Sequence, residues 1–516
     1  MIVVTTLVAE DKSQNGSVPN ILLVLVDDMG YSDLGCYGGE ISTPTIDSLA
    51  SSGLRYSQFY NCARCWPTRA ALMSGYYPQQ VKRDSVLDVK GGGGGKRPKW
   101  AKLLADYLKP AGYRSYHSGK WHIDGTPTKN GFDRSFYIRD QDRFFSATVL
   151  SQVYREFPDA KGKKGVYATT AIADHAIGVL REHEKDHPDT PFFSFIAFTA
   201  PHFPLQALPE DIERVGDRYK AGWDDIRQQR WKRLQKSGLV KKGELSKVEP
   251  ELGPPYDFSK KLKILGDGEV DRPLPWNELT EKQKVFQQKK MTIHAAMIER
   301  IDIEVGRIIE QVKAMNAFED TVIFFLSDNG ASAEMMVRGD GHDPKAAAGS
   351  ASTYLCLGPG WSTVANTPFR KHKTWTHEGG SCTPFIAHWP KQITAAGEIR
   401  ETPGHVIDLV PTILELAGVK LTDQKVPFPG RSLLPSFKQS IDNKRTLWWA
   451  HEGNYAVRNG EWKLVKTKRG QWELFNLKED RAESTNLAAQ YPEKIMALKK
   501  QWESQVEEFR KLKKLK

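Results

Sequence analysis

Cysteine is scarce in this chain: five residues in 516, at Cys36, Cys62, Cys65, Cys356 and Cys382. An odd, sparse set argues against a disulfide framework and leaves at least one free thiol in a monomer. Cys62 and Cys65 form a C-x-x-C, but no second pair follows to complete a zinc site. The short βαβ context of a thioredoxin-like motif is missing as well. No apolar run approaches the ~20 residues of a membrane span, so no membrane span is expected. Neither zinc-finger spacing nor an RRM-like signature occurs, so no nucleic-acid partner is expected. The five glycines at 91–95 lack the Gly-Lys-Ser/Thr ending of a phosphate loop and read as a flexible surface loop between Lys90 and Lys96. An acidic excess is also lacking. With 74 Lys+Arg against 63 Asp+Glu the net charge is +11, which points to an anionic partner without saying which one.

What is present describes a large globular chain. Its length predicts one large catalytic domain and a smaller one, and a 39% hydrophobic content supplies a core for both. Residues 1–9 are a brief apolar stretch without a basic n-region, either an export-signal remnant or a tail. The expected division is therefore 1–17 as tail or signal remnant, 18–425 as catalytic domain and 426–516 as a C-terminal α+β subdomain. Within the catalytic domain, 210–290 is a charged insertion or lid. A periplasmic or secreted location is the matching expectation.

Three apolar runs, 21–26, 192–198 and 321–326, have the look of buried parallel strands. They end in Asp27-Asp28, in Pro201-His202 and in Asp328-Asn329. A helical period is clearest over 296–315. Strands alternating with helices predict an α/β fold, a largely parallel sheet sandwiched by helices. Ligands in such sheets gather beyond the carboxyl ends of the strands, so the acid- and histidine-tipped ends should face one cleft. Each alone also suits an ordinary turn. In the tail, 445–451, 455–466 and 471–475 read as short strands, with turns at 453–454 and 459–460. Residues 492–513 read as an amphipathic helix.

The densest chemistry lies in Cys65-Trp66-Pro67-Thr68-Arg69. Pro67 suits the first position of a helix, and Gly75 its stop. A cysteine at a helix N-terminus meets free N–H groups and the positive end of the dipole, with Arg69 one turn on. The segment reads either as a nucleophile aimed at a sulfate-like or phosphate-like group, or as a buried cysteine beside a surface arginine. Asp27, Asp28, Asp328 and Asn329 offer only oxygen donors, which suits Ca²⁺, with Mg²⁺ the alternative. Lys120 and His122, two apart after a strand-like 113–117, face the same side if extended. His202 sits between prolines, and Lys373 belongs to a cationic run that precedes His377.

With these pieces in this order, the chain resembles the type I sulfatases of the alkaline-phosphatase superfamily over nearly its whole length. The resemblance implies that Cys65 is oxidised after synthesis to formylglycine by a formylglycine-generating or anaerobic maturation enzyme. It implies metal binding by Asp27, Asp28, Asp328, Asn329 and the modified Cys65, with Arg69 holding the formylglycine hydrate. Lys120 and Lys373 would bind sulfate oxygens, His122 would take the hydrate proton, and His202 with Lys373 would protonate the leaving alcohol. Thr68 stands where serine is commoner and keeps the hydroxyl. Arg143 within 140–145, Trp361, His372 and His377 are candidates for the substrate's leaving-group side, where aromatic platforms and charged hydrogen-bonders suit sugar rings. Each equally suits a loop packed on the core. A sulfated saccharide is thus the expected substrate. The alternatives are a phosphodiesterase or phosphonate monoester hydrolase on the same scaffold, and a polyanion-binding protein with Cys65 unmodified.

Overall fold

Side-chain alternation builds the centre of the molecule. In the strand Asn20–Val26, Leu22, Val24 and Val26 enter one hydrophobic cluster while Ile21, Leu23 and Leu25 enter another. The strand Thr321–Ser327 divides in the same way, with Ile323 and Phe325 on one face and Val322, Phe324 and Leu326 on the other. Such strands are apolar throughout because both faces are covered. Each fully buried Leu, Ile or Phe contributes about 1.5–3 kcal/mol. The computed structural model describes residues 18–140, 143–145, 166–338, 341–421, 424–442, 444–512 and 515. The expected tail 1–17 lies outside them.

The main sheet has eight strands. Their spatial order is Arg134–Ile138, Arg114–Lys120, Phe192–Ala197, Asn20–Val26, Thr321–Ser327, Phe385–His388, Leu54–Tyr56 and Ile399–Arg400. The first five run parallel, and Phe385–His388 is antiparallel to both of its neighbours. Helices Ala168–Asp186 and Glu281–Ala314 cover one face. Helices Cys65–Ser74, Leu104–Leu108 and Leu409–Leu416 cover the other. The α/β sandwich expected from the strand–helix alternation is the observed architecture.

The helix read over 296–315 starts much earlier, at Glu281, where Thr280 and Gln283 form a reciprocal capping box. Its polar first half hides that start from a hydrophobic-period reading. Segment 210–290 is docked against the body: Tyr219, Trp223, Ile226 and Leu234 are buried in the core. Arg230, fully buried, pairs with Asp33 at 2.7 Å and Glu40 at 2.7 Å.

The C-terminal part holds a separate four-stranded antiparallel sheet, Thr446–His451, Asn454–Asn459, Trp462–Lys466 and Trp472–Asn476. The stretch 455–466 reverses at Gly460-Glu461, one residue beyond the expected turn at 459–460, and so forms two strands. The preceding turn lies at Glu452-Gly453, one residue earlier than expected, with both φ angles positive (46° and 85°) as a two-residue hairpin requires. Helix Pro492–Leu512 packs on this sheet through Trp502, Val506 and Phe509. Among the described residues no helix is long and apolar enough to cross a membrane.

Candidate active site

Five parallel strands deliver their carboxyl ends to one edge of the sheet: Asp27-Asp28, Lys120, Asp140, His202 and Asp328-Asn329 follow or close them. Facing that edge is helix Cys65–Ser74, capped by Arg64 in extended conformation. The Thr68 N–H donates to the Arg64 carbonyl at 3.1 Å, so Cys65 is the first helical residue and Pro67 the third, not the first. Proline is tolerated there because N–H groups of the first turn have no intrahelical acceptor. Gly75 closes the helix at φ 76°, donating to the Ala71 carbonyl at 2.8 Å. The Thr68 hydroxyl accepts the Cys62 N–H at 2.9 Å, tying the incoming loop to the helix.

The Cys65 thiol does not behave as the bare helix-start picture suggests. Burial pushes it up to about 11, although Lys120 and Lys373 pull the other way, so at neutral pH it stays protonated. All five cysteines are free thiols.

Next to it lies a packed set of carboxylates. Asp28 adopts a left-handed φ of 68°, and its N–H points to Asp328 Oδ1 at 3.4 Å. Asn329 Nδ2 donates to Asp28 Oδ1 at 2.7 Å and to the Gly330 carbonyl at 3.0 Å. That orientation leaves Asn329 Oδ1 without a partner, and Asp27 Oδ1 is a second buried orphan. Burial, backed by the neighbouring Asp27, raises Asp328 to about 7, and burial raises Asp28 as well. Orphaned oxygens among crowded carboxylates fit a hard divalent cation, whose charge would relieve both costs. Asp27, Asp28 and His202 also bring ligand atoms within 4.8 Å of one another. The His202 Nε2, however, is already engaged by Lys373 at 3.0 Å.

Three buried cations interleave with these acids. Arg69 donates from Nε to Asp328 Oδ2 at 2.8 Å and from Nη1 to the Lys120 carbonyl at 2.8 Å. Lys120 Nζ lies 2.6 Å from Asp27 Oδ2 and 2.9 Å from Asp140 Oδ1. Lys373 Nζ lies 2.8 Å from Asp28 Oδ2 and 2.9 Å from Glu334 Oε2. His122 does not extend the strand: its φ is 52°. Its Nδ1 nevertheless lies 3.3 Å from the same Asp140 oxygen that Lys120 uses, so the pair converges through Asp140.

Both site histidines are neutral. Burial, reinforced by Lys120 for His122 and by Lys373 and Lys120 for His202, holds them well below the usual imidazole range. His202 Nδ1 lies 2.7 Å from the Phe203 carbonyl, which can only accept. The proton therefore sits on Nδ1, and Nε2 accepts from the Lys373 ammonium. The imidazole thus fixes the direction of the Lys373 ammonium through its Nε2 lone pair.

Arg69, Lys120, Lys373 and Asp27 lie close enough to act on the charge of Cys65, and Asp28, Asp328, Asn329, His122 and His202 are joined to that set by the contacts above. Two further residues escaped the sequence reading. Glu334, buried, binds both Lys373 and Arg64, the latter at 3.0 Å. Arg64 also donates to the Thr374 hydroxyl at 2.9 Å. Glu334 lies in an irregular segment with no periodicity, and only its place five residues beyond Asn329 could have drawn attention to it.

The four residues expected on the leaving-group side are spent on the fold. Trp361 is 0% exposed; its indole N–H donates to the Gln287 carbonyl at 2.7 Å and its ring packs on Tyr219, Trp223 and Trp276. His377 is buried against Glu473, 3.1 Å away. His372 is buried with Nδ1 3.0 Å from the Ser362 hydroxyl. Arg143 is buried and donates to the carbonyls of Ala351 and Thr353 at 2.8 and 3.1 Å. Each lies in a polar or aromatic core that sequence alone does not separate from a pocket wall. Gln141 and Asp142 of the same stretch lie outside the described residues.

Comparison with known proteins supplies the family. Residues 19–419 match the sulfatase family model, and residues 370–512 match that of the N-sulphoglucosamine sulphohydrolase C-terminal region. The chain is similar to an uncharacterized sulfatase of Schizosaccharomyces pombe, 30% identical across 96% of this chain and 94% of the relative. It is also similar to an arylsulfatase of Klebsiella aerogenes, 30% identical across 78% of this chain and 87% of that one. Among solved structures, Ps i-CgsB in complex with k-i-k-neocarrahexaose superposes with a TM-score of 0.65 at 25% identity, covering 95% of this chain and 92% of the other. The chain belongs to the sulfatase family, as a type I sulfatase of the alkaline-phosphatase superfamily.

Proposed function

We propose that this sulfatase hydrolyses O-sulfate esters of a saccharide, using a formylglycine hydrate made from Cys65 and a divalent cation. The observation that supports the reading is the set of three buried cations that act on Cys65, Arg69, Lys120 and Lys373, ion-paired to an acid cluster in which Asp27 Oδ1 and Asn329 Oδ1 are orphaned. A thiolate attacking sulfur would end in a stable thiosulfate ester, and the Cys65 thiol is in any case held protonated. Formylglycine at this position supplies a geminal diol, one hydroxyl to add to sulfur and one to expel sulfate afterwards. Asp27, Asp28, Asp328 and Asn329, with residue 65, would hold Ca²⁺ or Mg²⁺, which supplies Lewis-acid polarisation of the sulfate oxygens.

The remaining work belongs to the protein's side chains. Lys120 and Lys373 grip sulfate oxygens, and Arg69 orients the nucleophile through the rigid fork of its guanidinium. His122, neutral and held toward Asp140, accepts the proton that leaves residue 65. Lys373, its ammonium oriented by the lone pair of His202 Nε2, donates to the departing alcohol oxygen, a contribution of about 10²–10⁴-fold, and water returns the proton as the products leave. Support for a saccharide comes from the neighbour bound to a neocarrahexaose. A periplasmic or secreted site of action goes with a substrate of that kind.

The test compares kcat/KM of the matured protein on 4-nitrophenyl sulfate and on bis(4-nitrophenyl) phosphate, followed by sulfate release from sulfated saccharides. Preference for the sulfate ester is expected. Faster diester cleavage would transfer the chain to the phosphodiesterase reading.

A further inference from the structure

The five-glycine loop is the feature that the catalytic machinery leaves unused. The stretch 82–102 carries seven cationic residues, Lys82, Arg83, Lys90, Lys96, Arg97, Lys99 and Lys102, against two carboxylates, Asp84 and Asp88. Both acids are occupied elsewhere. Asp84 is buried, 2.8 Å from His451 Nδ1, and Asp88 is held by Arg510 of the C-terminal helix at 2.6 Å. Arg97 is bound by Asp124 at 2.8 Å. Lys82, Lys90, Lys96 and Lys99 are exposed, and among the described residues none has a carboxylate within ion-pair distance.

This basic loop is attached to the active site on one side. A Cβ on Gly93 would sit 3.8 Å from the ring of Trp66, the residue after Cys65. Arg83 donates to the Gly95 carbonyl at 2.5 Å and to the His122 carbonyl at 3.1 Å. The loop is held close by backbone approach: a Cβ at Gly91 would meet the Asp84 carbonyl at 2.1 Å, and one at Gly95 the Lys82 carbonyl at 1.9 Å. Glycine here is a packing requirement that seats the lysine-bearing loop against Trp66, the neighbour of Cys65 in sequence. The loop's far side packs with Leu512 around Val81 and Ala101, and Lys425, also exposed, precedes Val426 of the same small cluster.

We propose that this lysine-rimmed loop is a second anion-binding surface, which holds further sulfate groups of the same polysulfated saccharide while one ester is cleaved. The inference rests on the sulfatase reading above and narrows its substrate class to chains bearing several sulfates. Unpaired exposed lysines attract a polyanion by releasing its counterions, so binding weakens steeply with salt. Each neutralised charge contributes about 0.7 to the slope of log K against log salt for a single-stranded polyanion.

The experiment uses the full chain and its Lys90→Ala/Lys96→Ala/Lys99→Ala variant, with fluorescein-labelled dextran sulfate oligomer as probe in a polarisation assay. The variant should bind about tenfold more weakly in 0.1 M NaCl, with a salt slope shallower by about 2. Its kcat/KM on 4-nitrophenyl sulfate, too small to reach the loop, should match the wild type. Unchanged affinity and slope would overturn the proposal. So would equal competition by single-stranded DNA of the same charge, which would make the surface a generic polyanion site. Probe binding is read without turnover, so failure of aryl sulfate hydrolysis in the wild type would count against the sulfatase mechanism and leave the binding result standing.

Discussion

Replacing Glu334 by glutamine isolates the group that the sequence concealed. Glu334 is fully desolvated and bridges Arg64 at 3.0 Å and Lys373 at 2.9 Å, with the Ser332 hydroxyl donating at 3.0 Å. Burial alone would raise its carboxyl, yet Arg64 and Lys373 outweigh that and hold it at about 2, against an ordinary 4.5. That drop corresponds to about 3 kcal/mol of folding stability, within the ~3–5 kcal/mol typical of breaking a buried ion pair. Because the folded value is depressed, the contribution is complete above the unfolded value of 4.5 and fades as pH falls from there toward 2. Glu334→Gln should therefore unfold in urea with a free energy about 3 kcal/mol lower at pH 7. The gap to wild type should stay constant down to about pH 5 and narrow below it. Glu334→Asp, which keeps the charge, should recover part of the loss. Equal stability of wild type and Glu334→Gln at pH 7, or a gap independent of pH down to 3, would refute the reasoning.

Trp361→Ala removes a fully buried indole and should cost about 3–5 kcal/mol in urea titration, with KM for 4-nitrophenyl sulfate unchanged at permissive temperature; a selective rise in KM would restore Trp361 to the pocket. Lys463 lies 2.8 Å from Glu378 and 3.0 Å from Glu483 inside the protein. Lys463→Met leaves two buried carboxylates short of a cation, so about 3–5 kcal/mol should be lost, seen as early proteolytic release of the C-terminal sheet. His202→Ala should slow saccharide sulfate hydrolysis by about 10²–10⁴-fold but nitrophenyl sulfate far less, since a good leaving group needs little protonation; equal losses would remove His202 from the acid step. Chelation with EDTA should abolish turnover and lower the melting temperature, and Ca²⁺ or Mg²⁺ should restore both.

The parts of the fold legible in the sequence were those with strong local patterns. The runs ending in Asp27-Asp28 and Asp328-Asn329 are apolar on both faces and so announce central parallel strands. Gly75 marks its helix end through a left-handed φ that few other residues accept. Pro67 misled by two residues because the whole first turn, not only its first position, tolerates a missing N–H. The start of the Glu281–Ala314 helix was hidden by a polar face, although Thr280-x-x-Gln283 spelled a capping box. Long-range pairings were not legible at all. Glu334 meets Arg64 and Asp140 meets Lys120 only after the sheet has assembled, and no local period foreshadows either. Trp361, His372 and His377 were misjudged for a related reason: buried polar and aromatic groups look alike in sequence whether they line a pocket or satisfy a core.

The central claim is that the working nucleophile at position 65 is an aldehyde hydrate and not a thiol. Tandem mass spectrometry of the tryptic peptide 65–69 from protein with measured aryl sulfatase activity addresses it directly, after trapping with a hydrazine. The account predicts hydrazone at residue 65 in proportion to activity across preparations matured to different extents. Full activity in protein whose residue 65 is entirely unmodified cysteine would contradict it.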